Sequence, residues 1–233
     1  MKYLYKKEIN YYLNNPLGYI VVILFAVFAN FLFVKDLFLV GSASMRSFFA
    51  ILPWLLMIFI PALTMRILAE EKRTNTIEVL LTLPISETQI ILAKFFALTT
   101  IVSLAFVLTV ALPVSLGFLT KMYLPEIFIG YLGSILLAAA FIGLSMFFSG
   151  QTSNQVVAFL ASVLTIFVLL VLSTDFTASV LPKIIQDFLS YFSPSYHLQN
   201  FIKGVVDLRS LFYFLSMNIL FLFLTIIDLE KRK

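Results

Sequence analysis

The chain contains no cysteine, which excludes disulfide frameworks, thiolate metal sites and cysteine nucleophiles. One histidine and one tryptophan occur among 233 residues, so an HExxH metalloprotease site, which needs two histidines, is excluded too. The eight glycines (Gly18, Gly41, Gly117, Gly130, Gly133, Gly143, Gly150 and Gly204) nowhere spell GxxxxGK[ST], the loop whose backbone N–H groups cradle nucleotide phosphates. Charge is scarce as well. Asp, Glu, Lys and Arg make up 12% of residues, against about 25% in average soluble domains.

What is present is apolar. Hydrophobic residues reach 61%, with 26 phenylalanines, and mean hydropathy is +1.04. No soluble fold of this length can hide so much apolar surface, and the composition reads as an all-α, polytopic membrane protein. Length allows a single domain over residues 1–233. The net charge of +4 does not point to nucleic acid, because the basic residues sit beside apolar runs, where they flank membrane spans.

A bilayer core of about 30 Å needs roughly 20 helical residues, so charge-poor windows mark the spans. Such windows run over Ile9–Val34, Ser47–Met65, Phe95–Thr120, Ile127–Thr174 and Ser210–Ile227. The fourth is long enough for two spans with a turn at the polar Ser149-Gly150-Gln151-Thr152-Ser153-Asn154, which makes six. The first exceeds a signal-peptide core and lacks a small-x-small cleavage site, so it is expected to be retained. An even count puts both termini on one side. Lys2, Lys6, Lys7, Arg66, Lys72, Arg73, Lys94, Lys231, Arg232 and Lys233 fall on that side, the larger share of the 16 basic residues. Both termini are therefore expected to be cytoplasmic.

Two segments are too polar to span. Residues 1–14 mix tyrosine and leucine with lysine and asparagine, as an interfacial helix does. Residues 176–207, divided by Pro182 and Pro194, are expected to form one or two short outward-side helices, interfacial or re-entrant.

The most informative stretch is 70–86, EEKRTNTIEVLLTLPIS. Asn75 with Glu78 three residues on fits a capping box, and Ile77, Leu80 and Leu81 share one helical face. Pro84 is expected to end that helix, and Ser86 with Gln89 to cap the third span. An apolar stripe among Glu70, Glu71, Lys72, Arg73 and Glu78 needs a cover. It packs either on the membrane and the bundle's own floor or in a cytosolic partner's groove.

The run Pro61-Ala62-Leu63-Thr64-Met65-Arg66, then AEEKRTNTIEVLLTLPIS and Lys94, resembles the ABC-2 type transporter permeases, nearest the gliding-motility GldF-like subgroup. Ser153-Asn154-Gln155-Val156-Val157-Ala158-Phe159 and Gly204-Val205-Val206-Asp207-Leu208-Arg209 add to the likeness, which covers nearly the whole chain. One departure is Asn75, where relatives usually carry glycine. The resemblance implies six spans, an interfacial N-terminal helix and the ABC-2 exporter fold. It implies a coupling helix between spans two and three, with Glu71, Lys72, Arg73, Asn75, Thr76, Ile77, Glu78, Leu80 and Leu81 meeting a separate ABC ATPase. It also implies a second permease chain, identical or related, short outer-gate helices in 176–207, a GldG-like membrane-anchored auxiliary protein and a bacterial inner-membrane location. The chain itself is expected to carry no cofactor, metal or catalytic site; ATP and Mg²⁺ belong to the partner ATPase.

The competing classes are weaker. An intramembrane enzyme needs paired ionisable groups within the spans, and His197 is expected to be a hydrogen-bonded interfacial residue without a titratable neighbour. No buried charge pair is expected along the spans, which favours a lipidic, hydrophobic or polymeric cargo. A non-transporting scaffold, or a mechanical or lipid-extracting component, is the alternative function. Gly130, Ser134 and Ala138 have small-xxx-small spacing and predict close helix packing, within one chain or at a dimer seam.

Overall fold

A computed structural model describes residues 1–40, 44–81, 85–118, 123–174 and 182–231. Among these residues every regular element is a helix. The segment expected to lie at the interface forms α1 (Lys2–Asn14), and the first span forms α2 (Pro16–Val40). The break between them is local chemistry. Asn15, ahead of Pro16, is extended at φ −92° and ψ 130°, because the proline ring disfavours helical backbone in the preceding residue. The second span, α3 (Arg46–Thr64), holds Pro53 and Pro61 inside the helix. The third, α6 (Glu87–Thr109), starts on Ser86, whose hydroxyl accepts the Gln89 N–H at 3.3 Å as the spacing predicts.

Span three runs on past Val110, whose backbone stays helical at φ −64° and ψ −20°, into α7 (Ala111–Gly117), so that Glu87–Gly117 is one apolar helical stretch. The ladder is interrupted between the two pieces because Pro113 has no N–H for the carbonyl a turn earlier. The long fourth window divides into α8 (Leu124–Gln151) and α9 (Gln155–Val171), with Asn154 capping α9 by accepting the Val156 N–H at 2.9 Å. The last span is α12 (Leu208–Glu230). Five helices among the described residues are long and apolar enough to cross a bilayer, and α9 is a shorter apolar helix.

Helix α8 is the hub and packs against α3, α6, α9 and α12. Of its apolar window 67% is buried, against 22% for α2. Small residues make the central position possible. A side chain at Gly130 would collide with the Phe49 ring of α3, and one at Gly133 with Phe201. Ser134 and Ala138 are buried. This small-residue stripe therefore faces neighbours within the same chain. Round the outside lies a belt of exposed phenylalanine, leucine and isoleucine, including Phe31, Phe167, Phe212, Ile219 and Phe223, the surface expected of a bundle solvated by lipid.

On the end opposite the termini, α10 (Lys183–Ser190) and α11 (Pro194–Ile202) are two short helices between the last spans, where one or two were expected; residues 175–181 lie outside the described set. Helix α11 is anchored by Leu198 and Phe201, both fully buried, and packs on α8. Helix α10 buries no residue and exposes Ile184 and Phe188.

Candidate functional site

The segment between spans two and three is built from α3 outward. Helix α3 ends at Thr64, residues 65–68 turn, α4 spans Ala69–Arg73 and α5 spans Thr76–Leu81. The turn is held by one side chain from the hub. Ser149 Oγ donates to the Met65 carbonyl at 3.0 Å and accepts the N–H groups of Leu68 and Ala69, each at 3.2 Å. Those N–H groups are the orphan donors a helix start leaves, so a hydroxyl from α8 caps α4. In the sequence Ser149 shows only as part of a polar turn; its partners lie 80 to 84 residues away.

Asn75 is placed differently from its predicted role. Its φ is +56°, outside the extended region an N-cap occupies, so the capping-box reading is corrected. Asn75 is the left-handed residue that closes α4, its N–H on the Lys72 carbonyl at 3.3 Å. This region is strained for most side chains, and asparagine tolerates it best after glycine. Glycine at this position would meet the same backbone demand. Three hydroxyl contacts tighten the turn: Thr74 Oγ1 to the Glu70 carbonyl at 2.9 Å, Thr74 to Thr76 at 2.9 Å, and Thr76 to the Glu71 carbonyl at 3.4 Å.

Two of the predicted contact charges turn inward. Glu71 Oε1 accepts from Lys94 Nζ at 2.6 Å, and the same ammonium reaches Glu8 Oε1 at 2.9 Å. Lys94 is only 1% exposed, although it sits in span three. The expectation of no buried charge pair along the spans is therefore corrected. An ammonium carries three donors, and two carboxylates from different helices are the reason it can be buried here. Lys72 Nζ contacts Asp228 Oδ2 at 3.3 Å, in the last turn of α12. Helix α4 is thus tied to α1 and α6 through the Glu8–Lys94–Glu71 group, to α8 through Ser149 and to α12 through Lys72. These links also place the N-terminal helix and the end of α12 at one end of the bundle.

Ile77 also faces inward, at 7% exposure within the chain's main apolar core. Arg73, Thr74, Asn75, Thr76 and Glu78 are exposed. They form a polar, backbone-tightened knuckle on a clamped base. The side chains of Leu80 and Leu81, and Pro84, lie outside the described residues. Beside the knuckle Tyr12 is buried, and its hydroxyl donates to the Leu63 carbonyl at 3.2 Å. Burial first, then the Glu8 carboxylate, hold that phenol well above its ordinary pKa, so it remains a donor.

The opposite end is fastened just as fully. Arg46 Nε donates to Glu126 Oε2 at 3.0 Å, joining α3 to the start of α8. Gly204, at φ +79°, lies against the Glu126 backbone, where a side chain would be both strained and crowded. Asp207 caps α12 by accepting the Arg209 N–H and also accepts from Asn200 Nδ2, each at 3.0 Å. His197 is 4% exposed, stacks on Tyr213 at 4.1 Å and makes contacts to the Tyr191 carbonyl and the Ser210 hydroxyl. Burial lowers its pKa, so the ring is held neutral. Hydrogen-bonded to a carbonyl and a hydroxyl, it fills a structural place.

Among curated proteins none matches the chain. A family model described as "ABC-2 family transporter protein" matches residues 7–227, which takes in the second half of α1, the clamped knuckle and the long apolar helices up to the last turn of α12. A match over nearly the whole of an all-helical, multi-span chain settles the class: the protein belongs to the ABC-2 family of transporter proteins and is a multi-pass membrane permease subunit of an ABC transporter.

Proposed function

We propose that this permease is an exporter subunit driven by a separate ABC ATPase, whose movement it takes up at the knuckle and the helix near residues 75–83. The observation that carries this reading is the clamp beneath the knuckle. Arg73–Thr76 and Glu78 are exposed, while Glu71, Lys72 and Ile77 immediately beside them are locked to α1, α6, α12 and the core. A push on the exposed turn is delivered to four helices at once. Contact to the ATPase runs through Arg73, Asn75, Thr76 and Glu78, with Leu80 and Leu81 as apolar anchors. Glu71, Lys72 and Ile77 act beneath them as the linkage into the spans. ATP and Mg²⁺ are bound by the ATPase.

In this reading two permease chains, identical or related, form the path, both termini face the cytoplasm of a bacterial inner membrane, and α10 and α11 line the outer gate. The sequence likeness extends the reading to a GldF-like complex with a GldG-like auxiliary protein. The buried charge groups sit at the two ends of the bundle, and α8 carries no charged residue after Glu126. A lipidic, hydrophobic or polymeric cargo suits that uncharged middle.

The chain's lack of cysteine makes the test clean. A single cysteine at Glu78 (Glu78→Cys) should crosslink to the co-purifying ATPase, whereas one at Phe188 (Phe188→Cys), on exposed α10, should not. An ATPase that co-purifies but crosslinks only through the α10 position would refute this placement. Failure of any ATPase to accompany the intact chain would leave a scaffold or mechanical component in its place.

A further inference from the structure

A cavity of about 340 Å³ opens between α1, α4 and α6. Its charged lining is balanced in sign: Lys7, Arg66 and Lys94 against Glu8, Glu70 and Glu71. Two buried polar atoms on this lining have no partner, Arg66 Nε and Glu71 Oε2. An orphaned buried donor or acceptor costs on the order of 1–3 kcal/mol, and a cavity this size has room for a group that satisfies both. Arg66 needs an anionic or carbonyl oxygen. Glu71, with Oε1 already on Lys94, needs an N–H or O–H donor.

The cavity also sits where a lipid headgroup would lie. Helix α1 exposes Tyr3, Tyr11 and Leu13, and tyrosines on a non-spanning helix mark headgroup depth. The polar space leads into apolar crevices. Arg66, Tyr11 and Tyr12 also line a small cleft that reaches Val21 and Leu63. Val21 and Leu63 in turn line a wholly apolar cleft with Phe25 and Phe59, between α2, α3 and α6. These two clefts are small, about 20 Å³ each, and offer an acyl chain an apolar groove to lie against beside the polar chamber.

We propose that this cavity holds the headgroup of an aminophospholipid, with its phosphate on Arg66 and its primary ammonium on Glu71. The donor requirement selects among headgroups. A primary ammonium offers N–H groups to Glu71, and a choline offers none. A zwitterion adds no net charge to a lining that is already balanced, whereas a glycerol headgroup would bring an unpaired negative one. The bound lipid would brace α1 against α4. The inference needs only a chain in a bilayer and stands whether or not an ATPase docks at the knuckle.

The test uses the purified full-length chain in vesicles of equal phosphatidylethanolamine, phosphatidylcholine and phosphatidylglycerol, followed by native mass spectrometry of the lipid it retains. Phosphatidylethanolamine should be retained over phosphatidylcholine by roughly tenfold, the scale of one charge-assisted hydrogen bond. Retention should fall stepwise along the mono- and di-methylated headgroups as N–H donors are lost, a series that needs no variant and so carries no folding risk. Arg66→Gln should lose the lipid by a similar factor, Arg66→Lys should keep most of it, and Arg209→Gln at the far end should change nothing. Equal retention of the three headgroups, or full retention by Arg66→Gln, would overturn the assignment and leave water in the cavity. Complete displacement of the lipid by millimolar phosphoethanolamine would overturn it in favour of a soluble ligand.

Discussion

Replacing Lys94 by methionine tests the clamp most directly. The substitution nearly keeps volume and apolar stem but removes the ammonium between Glu8 and Glu71. The side chain is 2% exposed, that of Glu8 9% and that of Glu71 22%, so both carboxylates stay largely shielded once their partner is gone. Breaking a buried pair on one side leaves uncompensated charge and costs about 3–5 kcal/mol. Since each kcal/mol moves the midpoint of a chain this size by about 2–4 °C, the transition should fall by roughly 10 °C. A triple variant, Glu8→Gln with Lys94→Met and Glu71→Gln, removes all three charges and should recover most of that loss, because a neutral group has no buried charge to compensate. The assay is thermal unfolding of the purified chain in detergent, comparing wild type, the single variant and the triple variant. A Lys94→Met transition within about 1 °C of wild type, or a triple variant no better than the single one, would show that the carboxylates do not depend on the lysine and that α1, α4 and α6 are not joined here.

Other consequences are narrower. Ser149→Ala should destabilise by about 1–3 kcal/mol, because it orphans the Leu68 and Ala69 N–H groups, and hydrogen exchange should rise at those two amides while the α8 core stays protected. Asn75→Gly should match or slightly exceed wild-type stability, whereas Asn75→Val should cost about 1–2 kcal/mol for forcing a branched side chain into left-handed backbone; thermal shift ranks the three. Because burial lowers the His197 pKa in the folded chain, the unfolded chain binds the proton first on acidification. Stability is therefore unaffected by this group at neutral pH and falls as pH drops below about 6.5 towards the lowered native value. That acid-side loss should shrink in His197→Gln, measured as unfolding midpoint against pH.

The sequence alone determined this protein's class. Composition and the spacing of charges mark the membrane helices, the Ser86 cap and the turn before α9, because each depends on residues close together in the chain. The ABC-2 likeness was legible in one contiguous block at 61–86, for the same reason. What only the tertiary structure decided depends on distance along the chain. Ser149 caps a helix 80 residues away, Lys94 gathers Glu8 and Glu71 from two other helices, and Lys72 meets Asp228 across 156 positions. Read along the sequence, those residues are membrane-flanking charges and a turn serine. Asn75 shows the boundary most clearly: its identity pointed to a cap, but both its backbone angle and its neighbours on α4 make it a hinge-point of left-handed backbone. Periodicity reports which side of a helix is apolar. Whether that side meets lipid, a partner or the chain's own core, as Ile77 does, is decided only when the helices are packed.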